Sequence, residues 1–145
     1  MPPRIIHVDQ FNQERIAFVS QPAMAGYLTH YNDSDYIKQL PTYSIPGFTN
    51  GTYRIFCVDG DSMEPTLVKK DIIICEYIET FADLKNGEIY VIVSKDGILV
   101  KRCISALEKS GVIITKSDNP AYEPDAIPVD DILEVWKYRA KISHV

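Results

Sequence analysis

The 145-residue chain lacks any apolar run long enough to cross a bilayer. Its longest stretches, such as Ile72-Ile73-Ile74-Cys75, fall far short of the roughly 20 residues a spanning helix needs. No apolar segment follows Met1-Pro2-Pro3-Arg4, so no secretory signal is expected. Basic residues are in deficit: 15 Lys and Arg stand against 20 Asp and Glu, for a formal net charge of -5. So acidic a chain is poorly suited to gripping phosphates by itself, which argues against a freestanding nucleic-acid binder. Cysteine is scarce and odd in number. Cys57, Cys75 and Cys103 are widely spaced in apolar, strand-like runs with no CxxC. They read as buried free thiols of a cytoplasmic protein rather than as a disulfide framework. His7, His30 and His144 are scattered, without the close spacing a metal site requires, so no metal and no cofactor are expected. Internal repeats and low-complexity segments are absent as well.

What is present is an ordinary globular balance, 46% hydrophobic and 24% charged, at a length that suits one domain. Residues 1–18 read as a linker or N-terminal arm and 19–145 as the domain, although Arg15 to Ser20 has the composition of a short strand. Asp33 or Ser34 can cap a short helix running to Leu40, with Tyr36, Ile37 and Leu40 as its apolar positions. Pro41, Pro46 and Gly47 interrupt regular structure beyond that helix. From Tyr53 onward the pattern is β. Candidate strands are Tyr53–Val58, Ile72–Ile78, Glu88–Ser94, Ile98–Ser105, Val112–Lys116 and Ile132–Ile142, rich in Ile, Val and Tyr. Lys95-Asp96-Gly97 predicts a hairpin, and Asn86-Gly87 another tight turn. The expected fold is mostly β, compact and largely antiparallel, with one short helix.

The stretch Val58-Asp59-Gly60-Asp61-Ser62-Met63-Glu64-Pro65-Thr66-Leu67 carries the chemistry. A strand ends at Val58, and Gly60 permits a sharp bend with positive φ. Ser62 follows, placed to project its hydroxyl, while backbone N–H groups at the turn can face the same point as an oxyanion hole. On spacing alone, a Gly-Asp-Ser turn is more often a plain turn. Asp59-Gly60-Asp61 hints at calcium, but the other ligands of a twelve-residue loop are missing. A serine hydroxyl also needs a base, and no histidine here has the context of a Ser-His-Asp triad.

Lys101 is the lysine best suited to that task. It lies in Ile98-Leu99-Val100-Lys101-Arg102-Cys103-Ile104, where period-two alternation puts Leu99, Lys101 and Cys103 on one face. Apolar neighbours disfavour the ammonium form and lower the pKa. The competing reading is an edge-strand lysine whose head reaches out to water.

Gly60-Asp61-Ser62-Met63-Glu64-Pro65-Thr66-Leu67, followed 39 residues after the serine by Val100-Lys101-Arg102, resembles the LexA-like autopeptidases and phage repressor C-terminal domains. Type I signal peptidases share the serine box and the lysine strand, but they need a membrane anchor. Asn119-Pro120-Ala121-Tyr122-Glu123-Pro124 resembles the segment before that family's last strand. Ala25-Gly26 resembles the bond that LexA-like members cut in themselves. The resemblance spans about residues 19–142. One departure is Lys69-Lys70-Asp71, where the family often has Asp-Gly-Asp.

The resemblance implies the coiled β fold of that family, with Ser62 as nucleophile and Lys101 as general base. It implies an oxyanion hole at the amides of Ser62 and Met63, and a scissile bond between Ala25 and Gly26. It further implies a cytoplasmic repressor of the SOS type that forms a homodimer through the C-terminal strand. Its trigger would be a recombinase filament, and its DNA contact would be made only by a helix-turn-helix domain preceding residue 1. Leu133, Val135, Trp136 and Tyr138 are the apolar residues of that strand, which otherwise simply close the core. Two alternatives stay open: a UmuD-like accessory subunit of a translesion polymerase, and a dimerisation module that does not cleave.

Overall fold

The computed structural model describes residues 7–8 and 14–143. Among these residues, ten strands form one sheet: β1 His7–Val8, β2 Glu14–Val19, β3 Thr42–Tyr43, β4 Tyr53–Cys57, β5 Ile72–Tyr77, β6 Ile89–Ser94, β7 Gly97–Ala106, β8 Val112–Lys116, β9 Asp125–Pro128 and β10 Ile132–Ile142. Their spatial order is β1-β2-β4-β5-β10-β6-β7-β8-β9, with β3 also paired to β2. Every pairing is antiparallel except β2 with β4, where Ala17, Phe18 and Val19 lie parallel to Arg54, Ile55 and Phe56. A parallel neighbour requires a crossover, and the chain makes it through two helices, α1 Met24–His30 and α2 Ser34–Gln39. A one-turn helix, α3 Leu107–Ser110, joins β7 to β8.

The β-branched runs form strands as composition predicts, and Ser94 pairs with Gly97 around the two-residue turn Lys95-Asp96. The predicted helix is α2, where the Asp33 carboxylate accepts from the Asp35 N–H at 3.0 Å. Helix α1 is an addition to the expected elements. It has no side-chain cap and carries Gly26 in its interior, so nothing local announces it. Packing supplies what propensity does not, since Tyr27 and Ile37 hold the two helices on the core.

Strand β10 runs through the middle of the sheet, bonded to β5 on one side and β6 on the other, with register shifts that curl it. Val135 and Trp136 are fully buried, while Leu133 and Tyr138 pack partly buried against the core. The apolar surplus of this strand is therefore used within the fold.

Candidate active site

The Ser62 turn is pinned at its base. Val58 N–H donates to Asp71 O at 2.8 Å, and Lys70 N–H returns to Val58 O at 2.9 Å. Gly60 has φ of 93°, the left-handed conformation that its missing Cβ makes accessible. Beyond Ser62 the chain coils so that Met63 and Leu67 plug the core, and Leu67 N–H bonds Met63 O at 3.0 Å. Ser62 itself stays half-buried. A serine between an exposed Asp61 and a buried Met63 is anchored yet reachable, as a nucleophile must be.

Lys101 sits in β7, paired with Tyr90 of β6. Leu99 and Cys103 flank it on the same face and pack with Tyr90 in one apolar cluster. The lysine is partly buried. That burial lowers its pKa below the ordinary lysine value, with the Asp125 carboxylate pulling the other way. Its Nζ donates to Ser117 Oγ at 2.7 Å. Among the described residues, the amine's hydrogen bond goes to Ser117 rather than to Ser62. The two buried thiols do not compete as nucleophiles at neutral pH: burial pushes Cys103 up to about 12 and Cys75 well above its ordinary value.

One short segment, residues 117–122, holds both halves of the site. Towards the serine, Asn119 N–H donates to Ser62 O at 3.0 Å and Asn119 Nδ2 to Asp61 O at 3.1 Å. The Tyr122 hydroxyl donates to the Asp61 carboxylate, and Thr66 Oγ1 donates to Asp118 Oδ2 at 2.5 Å. Towards the lysine strand, Ser117 accepts from Lys101. Arg102 grips Asp118 with Nε at 2.7 Å and a second nitrogen at 3.1 Å, a two-pronged geometry that fixes direction as well as distance. That pairing and the Thr66 bond hold Asp118 below the usual carboxylate range. The Tyr122 ring centroid lies 5.3 Å from Lys101 Nζ. Ser62 and Lys101 are far apart in sequence, and this clamp is what brings their surroundings together.

Ala25 and Gly26 lie in the first turns of α1, Ala25 exposed and Gly26 half-buried. A Cβ on Gly26 would meet the Tyr36 hydroxyl at 2.8 Å, so the glycine admits α2 at close range. That hydroxyl donates to Ala23 O at 3.2 Å. The next residue, Tyr27, is fully buried. It donates to the Glu134 carboxylate and accepts from Arg54 at 3.3 Å. Trp136 Nε1 also donates to Glu134 at 3.2 Å, and the Arg54 guanidinium lies 4.8 Å from the Trp136 ring. Burial raises the Glu134 pKa against the pull of Arg54, and raises Tyr27 strongly.

Sequence reasoning singled out Ser62, Met63, Lys101, Ala25 and Gly26. It passed over Ser117 and Asp118, whose polar neighbours look like any loop, and the buried Arg54–Tyr27–Glu134 group. Arg54 and Glu134 both left a signal: Arg54 is the one charge in Tyr53–Cys57, and Glu134 interrupts the apolar start of β10, between Ile132-Leu133 and Val135-Trp136. The Peptidase S24-like family matches residues 18–137 of the chain. No curated protein matches it.

Proposed function

The chain belongs to the Peptidase S24-like family, and on that premise we propose that it is the self-cleaving serine endopeptidase and dimerisation domain of a repressor-type regulator, cutting its own Ala25–Gly26 bond. The observation that carries this reading is the clamp at residues 117–122, which ties the Ser62 turn and the Lys101 strand to one six-residue segment. Ser62 Oγ attacks the Ala25 carbonyl and gives its proton to neutral Lys101. The amides of Ser62 and Met63 face the developing oxyanion. Lys101 then returns the proton to the departing Gly26 nitrogen, and water releases the acyl group from Ser62.

A peptide bond inside a helix cannot present its carbonyl this way, so α1 must unwind before the chemistry. The reading therefore includes a dormant state, the one seen here, with Tyr27 seated on Glu134 and Arg54. The same observation favours the second reading, a dimerisation module that never cuts. Incubation at alkaline pH followed by mass spectrometry separates them. Cleavage yields fragments of 25 and 120 residues, Ser62→Ala and Lys101→Ala abolish them, and an intact chain under every condition refutes the peptidase reading.

The dimer is part of the same proposal. With Val135 and Trp136 inside the core, its support is the end of β10. There Ile142 and Tyr43 remain 52% and 49% exposed beside a groove lined by Phe18, Ile45 and Ile72. A recombinase filament as trigger and a DNA-binding domain upstream of residue 1 complete the proposed regulator. Among the described residues, no helix is long and apolar enough to cross a membrane.

A further inference from the structure

We propose that Tyr122 is a removable strap across the Ser62–Lys101 pair, which keeps the lysine amine in its charged form until the substrate segment displaces the ring. The functional consequence rests on Lys101 acting as the base. The strap itself rests on two contacts made by one exposed side chain.

Tyr122 follows Ser117-Asp118-Asn119-Pro120-Ala121 on the loop between β8 and β9 and is 45% exposed. An aromatic side chain that open to water has little burial to fix it. Two side-chain contacts hold it instead. Its hydroxyl donates to the carboxylate of Asp61, the residue immediately before Ser62. Its ring centroid stands 5.3 Å from Lys101 Nζ, within the range of a cation–π contact. The side chain therefore spans from the nucleophile's turn to the base. A peptide carbonyl that reaches Ser62 with Lys101 alongside has to enter between the two groups that Tyr122 joins.

The chemistry of the contact has a sign. The π face attracts an ammonium group and has no comparable attraction for a neutral amine. Tyr122 thus favours the form of Lys101 that cannot accept a proton. The other groups facing the amine come from each neighbouring element: Tyr90 across on β6, Cys103 on its own face, Ser117 at the end of β8 and Asp125 on β9. Arg102, next in sequence, is turned away to Asp118. Burial opposes the charged form, and Asp125 favours it. Tyr90 and Cys103 are locked in the core. Tyr122 is the contact on the solvent side, and it can leave without unfolding the sheet.

The test uses the full chain with Ser62→Ala, so that it stays intact while the Lys101 side-chain resonances are titrated by NMR. Tyr122→Leu removes both ring and hydroxyl, and the Lys101 pKa is expected to fall by about half a unit. Tyr122→Phe keeps the π face but loses the Asp61 anchor, so its Lys101 titration should fall between those of the parent and Tyr122→Leu. A Tyr122→Leu titration that superimposes on the parent overturns the proposal, as does a Tyr122→Phe titration that moves further than Tyr122→Leu. With Ser62 restored, Tyr122→Leu should cleave about threefold faster on the rising limb of the pH profile, in step with its larger neutral fraction. Absence of cleavage in every form refutes the peptidase reading alone, because the titration still decides the strap.

Discussion

Two lysine substitutions separate charge from chemistry at position 101. Lys101→Ala and Lys101→Arg should both stop cleavage, the first by removing the base and the second because arginine keeps its proton. The cleavage rate of the parent should climb with pH and level off below the ordinary lysine value, since burial lowers the Lys101 pKa. A rate flat from neutral to alkaline pH counts against the lysine. The stability of the fold follows the same shift: its contribution is present above the unfolded value of 10.5 and is lost as pH falls through the lowered folded value. Glu134 behaves in the opposite sense. Its pKa is raised by burial, so its contribution is present below the ordinary 4.5 and is lost as pH rises through the folded value. Glu134→Ala takes the acceptor from Tyr27 and Trp136 and the opposing charge from Arg54, and urea denaturation should register a loss of about 3 kcal/mol. Glu134→Gln, which keeps an acceptor oxygen, should cost less and should flatten the dependence on pH.

Elements differ in how far their own residues specify them. Strands β5, β6 and β8 are dense in Ile and Val and were legible at once. Strand β9 was not, because Asp125 and Pro128 leave only Ile127 to mark it, and an edge position tolerates both. Helix α1 is the extreme case. A seven-residue helix with an internal glycine has almost no stability of its own, and its existence depends on Tyr27 being seated in the core. Tyr27→Ala should therefore speed amide hydrogen exchange across residues 24–30 while exchange in β5, β6 and β10 stays slow. The turn before β5 shows the reverse, an element formed against local preference. Lys70 occupies the left-handed region with φ of 77°, where the related turn often has glycine. Lys70→Gly relieves the Cβ clash, and thermal unfolding should show a gain of about 0.5–1 kcal/mol.

For the molecule as a whole, the sequence predicted a mostly β fold and was silent on how its distant parts meet. Ser62 and Lys101 could each be named from the serine box and the apolar strand, but the segment that contacts the surroundings of both, Ser117, Asp118 and Asn119, could not. The polar side chains of these residues acquire meaning only when β8 lies against β7. The dominance of non-local pairing also predicts slow folding of the clamp, since Thr66, Arg102 and Asp118 must be assembled from three separate segments. The proposed dimer is tested at this scale. Sedimentation at micromolar concentration should give two copies, and Ile142→Glu should shift the protein to the monomer while its far-ultraviolet circular dichroism spectrum stays the same.

The parallel pairing of β2 with β4 governs the fate of the two pieces after a cut. Breaking the Ala25–Gly26 bond severs β2 from the rest of the chain covalently but leaves it hydrogen-bonded between β3 and β4, with Ile16, Ala17 and Val19 buried. The two pieces would remain a nicked complex, and whatever precedes residue 1 would stay tethered through a six-residue strand. Release then becomes a separate event with its own lifetime, governed by how quickly one strand peels from the sheet. A native-gel assay should accordingly lag behind a denaturing gel in reporting separation.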